Sequence, residues 1–153
     1  GPKAFNDPEW GKEATLSQIG EGADVIFAAG GQTGNGGLLG IAEQAKAGKD
    51  VLGIGVDQDQ YNTLEGARPI LLTSAMKRVD VSTFTAVKSV VDGNFKGGVS
   101  LYDIKNDGVG LAPFHDLDTK VSTEVKDKIN SIIDGLKKGK IDATVKIPDD
   151  CKE

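Results

Sequence analysis

Apolar and polar positions along this chain fall into two kinds of period. Ala23-Asp24-Val25-Ile26-Phe27-Ala28-Ala29, Val51-Leu52-Gly53-Ile54-Gly55-Val56 and Ile70-Leu71-Leu72-Thr73-Ser74 are short, nearly continuous apolar runs bounded by glycine, aspartate or proline. Runs of that length read as strands buried on both faces, the pattern of a parallel sheet. Between and around them lie stretches at helical spacing. Phe5-Asn6-Asp7-Pro8 is a turn leading into a helix, with Asp7 as N-cap and proline at the first helical position. Leu16 and Ile19 share a face of that helix, which ends near Gly20 and Gly22. A second helix is expected from Leu38 to Ala47, closed by Gly48. A third is expected from Ser82 to Asp92, with Phe84, Val87 and Val91 on one face. The last is the clearest: Val121, Val125, Ile129, Ile132, Ile133 and Leu136 recur at spacings of 4, 4, 3, 1 and 3, one stripe of a helix. Positions 93–98 read as a loop. Two strands, 99–104 and 109–112, are expected to meet at the Asn106-Asp107-Gly108 turn, and the polar tail from Lys140 to hold one short strand.

Apolar strands alternating with helices imply an α/β fold, a parallel sheet flanked by helices on both faces. A doubly wound sheet ordinarily opens on a strand, whereas this chain opens on a helix. Either a strand has been removed from the start or another segment supplies it.

Composition narrows the function. The net charge of -5 and pI near 4.9 argue against nucleic acid as the main partner, since phosphate binding needs clustered Lys and Arg. No apolar run reaches the roughly 18 residues of a membrane-spanning helix, and no secretory signal is present. One cysteine, Cys151, and one histidine, His115, exclude an internal disulfide and a Cys/His zinc cage. No metal or cofactor is expected. The 21 glycines in 153 residues are about twice the usual share. Either the backbone turns often or it approaches something closely.

The glycine cluster 30–37 follows a strand and opens a helix, the setting of a phosphate-binding turn. It fails both specific tests: a Walker loop needs lysine where Leu38 stands, and a dinucleotide fingerprint wants a small residue where Leu39 stands. A tight strand-to-helix turn explains much of it. The doubled Gly30-Gly31 also suits a backbone cradle for a polar, uncharged ligand. Asp57-Gln58-Asp59-Gln60 directly follows a strand, so these side chains stand at the carboxyl edge of the sheet, where ligands of open α/β sheets bind. An ionised carboxylate accepts two neighbouring hydroxyl donors at once, which suits a vicinal diol such as ribose. A cap on the next segment is the plainer role for Asp57. Calcium is excluded, because a calcium loop needs glycine at Asn62 and glutamate at Arg68. Lys77 and Arg78 follow the third strand and should reach the same edge, where Lys77 can keep Asp57 ionised. Phe5 and Trp10 lie in the opening turn and can stack on a flat ring, although Trp10 equally suits a staple against the first helix. His115 reads as a surface loop residue and Cys151 as a bystander in the tail.

Phe5-Asn6-Asp7-Pro8 with Gly11-Lys12-Glu13, Gly22-Ala23-Asp24-Val25-Ile26-Phe27, Gly30-Gly31-x-Thr33-Gly34-Asn35-Gly36, Gly55-Val56-Asp57-x-Asp59-Gln60 and Thr73-Ser74-x-Met76-Lys77-Arg78-Val79-Asp80, in this order, resemble the basic membrane protein family. These are substrate-binding lipoproteins of ABC importers, many of them nucleoside-binding. Gly108-Val109-Gly110-Leu111-Ala112 fits as well, so the resemblance covers nearly the whole chain. It implies a type I periplasmic-binding-protein fold, with two α/β lobes around a hinge and the ligand between them. It further implies that residues 1–153 are the carboxyl-terminal part of such a protein, mostly one lobe, with a crossover into the amino-terminal lobe around 80–112. By resemblance, Phe5 would stack on a base, Gly30 and Gly31 would present backbone, Asp57 would accept from ribose hydroxyls, and Lys77 would support it. Asn6 and Trp10 are further ligand-binding candidates. The implied partners are a purine nucleoside, the importer's permease and the amino-terminal lobe, and the implied location is extracytoplasmic. The alternative is a ligand-sensing domain of a regulator with the same fold. An enzyme using Asp57 and Asp59 as acid and base lacks any accompanying nucleophile or metal constellation.

Overall fold

The computed structural model describes residues 2–143; Cys151 and the strand expected in the tail lie outside them. The opening helix, α1 (Pro8–Gly20), starts as its sequence requires, with the Asp7 side chain accepting a hydrogen bond from the Trp10 amide at 3.0 Å. It is followed by β1 (Val25–Phe27), α2 (Gly31–Lys46), β2 (Leu52–Asp57), the single-turn α3 (Gln60–Thr63) and β3 (Leu71–Lys77). Then come α4 (Val79–Val91), β4 (Val109–Leu111) and α5 (Thr123–Lys137). The sheet order is β1-β2-β3-β4. β1, β2 and β3 are parallel, and β4 runs antiparallel to β3, with Met76 opposite Gly110. The α/β fold with a helix-flanked sheet is therefore present, and its edge departs from the all-parallel expectation.

Two local expectations are corrected. The segment 99–104 forms no strand. Asp103 and Asn106 instead bond each other's backbone across a 3-10 turn, Ile104–Asn106, and such local side-chain bonds compete with a ladder. The Asn106-Asp107-Gly108 turn forms, with Asp107 left-handed at φ 58°, but no hairpin is built on it; β4 pairs with β3 instead. The second correction concerns α2, which begins at Gly31 rather than Leu38. Glycine costs a helix about 1 kcal/mol relative to alanine, so propensity argued for a loop. Packing overrides it. A Cβ at Gly36 would stand 1.9 Å from the Pro8 carbonyl oxygen, and one at Gly11 would stand 1.9 Å from that of Thr33. The glycines let α1 lie backbone-to-backbone on α2.

The core lies between these two helices and one face of the sheet. Ile19, Ile26, Leu38, Ile41, Val51, Ile70 and Leu71 are buried there, each contributing about 1.5–3 kcal/mol on full burial. Gly53 makes room for them, since a Cβ there would meet Leu38 Cδ2 at 2.6 Å. The other face of the sheet is open: Val25 and Phe27 are 43% and 55% exposed. The apolar stripe of α5 faces it across a cavity. α4 has no buried residue, and its apolar side, with Phe84, Val87 and Val91, stands exposed.

Candidate functional site

The cavity between the open face and α5 has a volume of about 750 Å³. Phe27, Val56, Met76 and Leu111 line it from the sheet, and Ile129, Ile132, Ile133 and Leu136 from α5. At the carboxyl edge of the parallel strands its lining changes character, to Phe5, Gly30, Gly31, Asp57 and Lys77. The interior is greasy; among the described residues, its charged walls are Asp57 and Lys77.

Each of these residues is placed by local chemistry. The turn bearing Phe5 is laid on the start of α2. The Asp7 amide donates to Thr33 Oγ1 at 2.9 Å. Gly31, at φ 55°, a conformation that favours glycine, lies close against Phe5, whose carbonyl oxygen would be 3.0 Å from a Cβ. Gly30 is the N-cap of α2 and supplies no side-chain cap, so the first amides of the helix are available as donors. Asp57 ends β2 with φ at 71°, and the Gln58 amide bonds back to the Val56 carbonyl at 2.8 Å. This is a γ-turn of the strained, positive-φ kind, and such backbone persists only where its surroundings enforce it. Lys77 Nζ stands 2.8 Å from Asp57 Oδ1. Both side chains are half exposed or more, so the pair contributes at most about 1 kcal/mol to stability. What it does is orient the carboxylate.

Asn6 and Trp10 are not brought into this cavity; Trp10 is 60% exposed on α1. Arg78 does not join Lys77 at Asp57. It pairs with Asp80, Nη2 to Oδ2 at 2.8 Å, and its hydrogen bond draws the Asp80 carboxyl below the ordinary carboxylate range. Gly34, Gly36 and Gly37 serve helix packing rather than a cradle. His115 is not a loose loop residue: Nε2 lies 2.8 Å from Asp59 Oδ2, and its ring stacks on Tyr61 with centroids 4.0 Å apart. Asp59 also caps α3, accepting from the Tyr61 amide.

Sequence motifs gave no warning of the network behind Asp57. Gln60 is buried, and its Oε1 accepts from the Val56 amide at 2.8 Å. Its Nε2 donates to Asn35 Oδ1 at 2.7 Å, and its own amide donates to Ser74 Oγ at 3.2 Å. Gly55 is required beside it, because a Cβ there would come within 2.2 Å of Gln60 Oε1. Truncation as Gln60→Ala strands the Val56 amide and the Asn35 carbonyl. Unmade buried bonds cost about 1–3 kcal/mol. Urea unfolding should show a loss of that size, and a midpoint unchanged from wild type would mean the network carries no weight.

Among the described residues, no group of three or more His, Cys, Asp or Glu is placed to hold a metal ion. No helix among them is long and apolar enough to cross a membrane.

The family of PnrA-like ABC transporter substrate-binding proteins, Bmp, matches residues 3–150. The chain belongs to the Bmp family. The chain is similar to the CD4+ T-cell-stimulating antigen of Listeria monocytogenes, 33% identical over 142 residues, and to basic membrane protein D of Borreliella burgdorferi, 32% identical over 149. The alignments cover 86% and 95% of this chain. Each covers 40% of the relative, so this Bmp chain spans about two fifths of their length. Relatives from two Pyrococcus species are named lipoproteins. The fold is similar to that of an ABC transporter solute-binding protein from Aeropyrum pernix, with TM-score 0.80 and 23% identity over 95% of this chain and 47% of that one. It is also similar to a transcriptional activator of the comK gene from Bacillus halodurans, with TM-score 0.75 and 23% identity over 92% and 46%. At these identities the likeness is one of fold.

Proposed function

We propose that this chain supplies one wall of the ligand cleft in a two-lobed substrate-binding protein of an ABC importer, and that the cleft takes a purine nucleoside without catalysis. One observation carries the reading: Asp57 and Lys77, 2.8 Å apart, share one concavity with Phe5 and Gly30-Gly31 at the carboxyl edge of the strands. In this arrangement Asp57 accepts from two ribose hydroxyls, Phe5 stacks on the base, and the first amides of α2 donate to a ligand oxygen. Asp59 is bonded to His115 and caps α3, a structural use of its carboxylate that agrees with a binding role for the site. The exposed apolar side of α4 and the greater length of the relatives support a companion lobe, reached by a crossover within 80–112. Closure of the lobes would exclude water and strengthen the polar contacts. The protein would then work outside the cytoplasm and hand its ligand to a permease.

Calorimetry with inosine, adenosine and guanosine tests this on the protein comprising this chain and its companion lobe. Micromolar or tighter binding is expected there and little for residues 1–153 alone; equal affinity for both would end the two-lobe account. The fold shared with the comK activator keeps a sensor as the second reading. A lipobox upstream of this chain supports the importer, and a helix-turn-helix supports the sensor.

A further inference from the structure

The strained turn at Asp57 is fastened from two sides. On the buried side Gln60 ties it to α2 and β3, as described. On the other side the segment 59–61 is clasped to the loop after β4 by two bonds and a stack. Asp59 Oδ2 lies 2.8 Å from His115 Nε2, Tyr61 Oη donates to Asp116 Oδ2 at 2.6 Å, and the two rings lie 14° from parallel. The clasp is specific in its chemistry. His115 itself adopts φ 45°, a conformation uncommon for a side-chain-bearing residue. The His115 and Asp59 side chains are only 23% and 20% exposed, so the bond is shielded where a surface ion pair is not. Asp59 is two residues from Asp57. Slack at Asp59 would therefore reach the γ-turn at Asp57 within two residues.

We propose that His115, acting through Asp59, is a positioning residue for the Asp57 carboxylate: it touches no ligand, and it holds Asp57 in the strained conformation that places it beside Lys77 at the wall of the cavity. This rests on the reading of Asp57 as the acceptor of two ribose hydroxyls. It predicts a loss confined to the ribose end of the ligand. A residue that merely supports the fold would weaken every ligand alike.

The test compares inosine with 2′,3′-dideoxyinosine, by calorimetry on the two-lobed protein, in wild type, His115→Ala, His115→Gln and Tyr61→Phe. His115→Ala should lower inosine affinity roughly tenfold, within the range for coupled neighbours, and leave the dideoxy ligand unaffected. His115→Gln carries an amide nitrogen near the position of Nε2 and should recover most of that loss. Tyr61→Phe keeps the stack and loses one bond, so it should show a smaller effect of the same selectivity; it also serves if His115→Ala fails to fold by circular dichroism. Equal weakening of both ligands, or no weakening of either, overturns the positioning role. Wild-type protein that binds the two ligands alike fails differently: it removes the ribose contact itself, and the positioning role with it.

Discussion

Gly36→Ala should cost this fold about 2 kcal/mol, although alanine is the better helix former. Alanine gains about 1 kcal/mol in propensity. Against that, the new Cβ would stand 1.9 Å from the carbonyl oxygen of Pro8 and within 2.6 Å of its Cα. Those are backbone atoms, which cannot rotate aside, so α1 must move outward. Overpacking of that kind costs about 1–3 kcal/mol and occasionally more, and here it also strains the Asp7 to Thr33 bond that seats the Phe5 turn. Gly11→Ala meets the Thr33 carbonyl across the same interface. One outward shift of α1 relieves both clashes, so the double variant should cost clearly less than the sum of the single ones. Gly20→Ala is the control, because nothing lies within 4 Å of a Cβ there; it should be neutral or slightly stabilising. Urea unfolding of the four variants beside wild type decides the matter. A Gly36→Ala midpoint at or above that of wild type would mean the helices are not in backbone contact.

What was legible in the sequence and what was not divides along one physical line. Local signals survived. The Asp7-Pro8 start of α1, the apolar runs of β1, β2 and β3, and the stripe from Ile129 to Leu136 on α5 all depend on neighbours within a few positions. So did the shared concavity of Phe5, Gly30, Asp57 and Lys77, because strand ends in a parallel sheet collect at one edge. Signals that need a distant partner were invisible. The glycines of α2 look like a loop until Pro8 is known to lie against them. The three-residue β4 carries no mark of its direction and is set by β3. His115 and Asp59 are 56 positions apart, and Gln60 and Asn35 are 25 apart, so no spacing rule could join them. Asn6 and Trp10 show the converse. Asn6 lies just before α1 and Trp10 in its first turn, close in sequence to Phe5, yet neither joins Phe5 in lining the cavity.

The strain at Asp57 and the exposure of its ion pair give the fold itself little reason to favour aspartate there, which fits the proposed ligand role. A left-handed non-glycine residue costs about 1–2 kcal/mol, and an exposed pair with Lys77 returns at most about 1. The fold would lose little by having asparagine there, which tolerates the same backbone. Asp57→Asn should therefore leave unfolding within about 0.5 kcal/mol of wild type, the range of a neutral surface change. Ligand affinity should behave otherwise. In the proposed closed cleft the carboxylate would be desolvated against two hydroxyl donors and Lys77, and losing one side of such a contact costs about 2–5 kcal/mol. That is about 30-fold to several-thousand-fold in nucleoside affinity. Lys77→Met should weaken binding in wild type and do much less beside Asp57→Asn, since the charge it supports is gone. Calorimetry on the two-lobed protein reads all three variants. Unchanged nucleoside affinity in a folded Asp57→Asn protein would place the sugar elsewhere, and the strained turn at the end of β2 would then need another reason to exist.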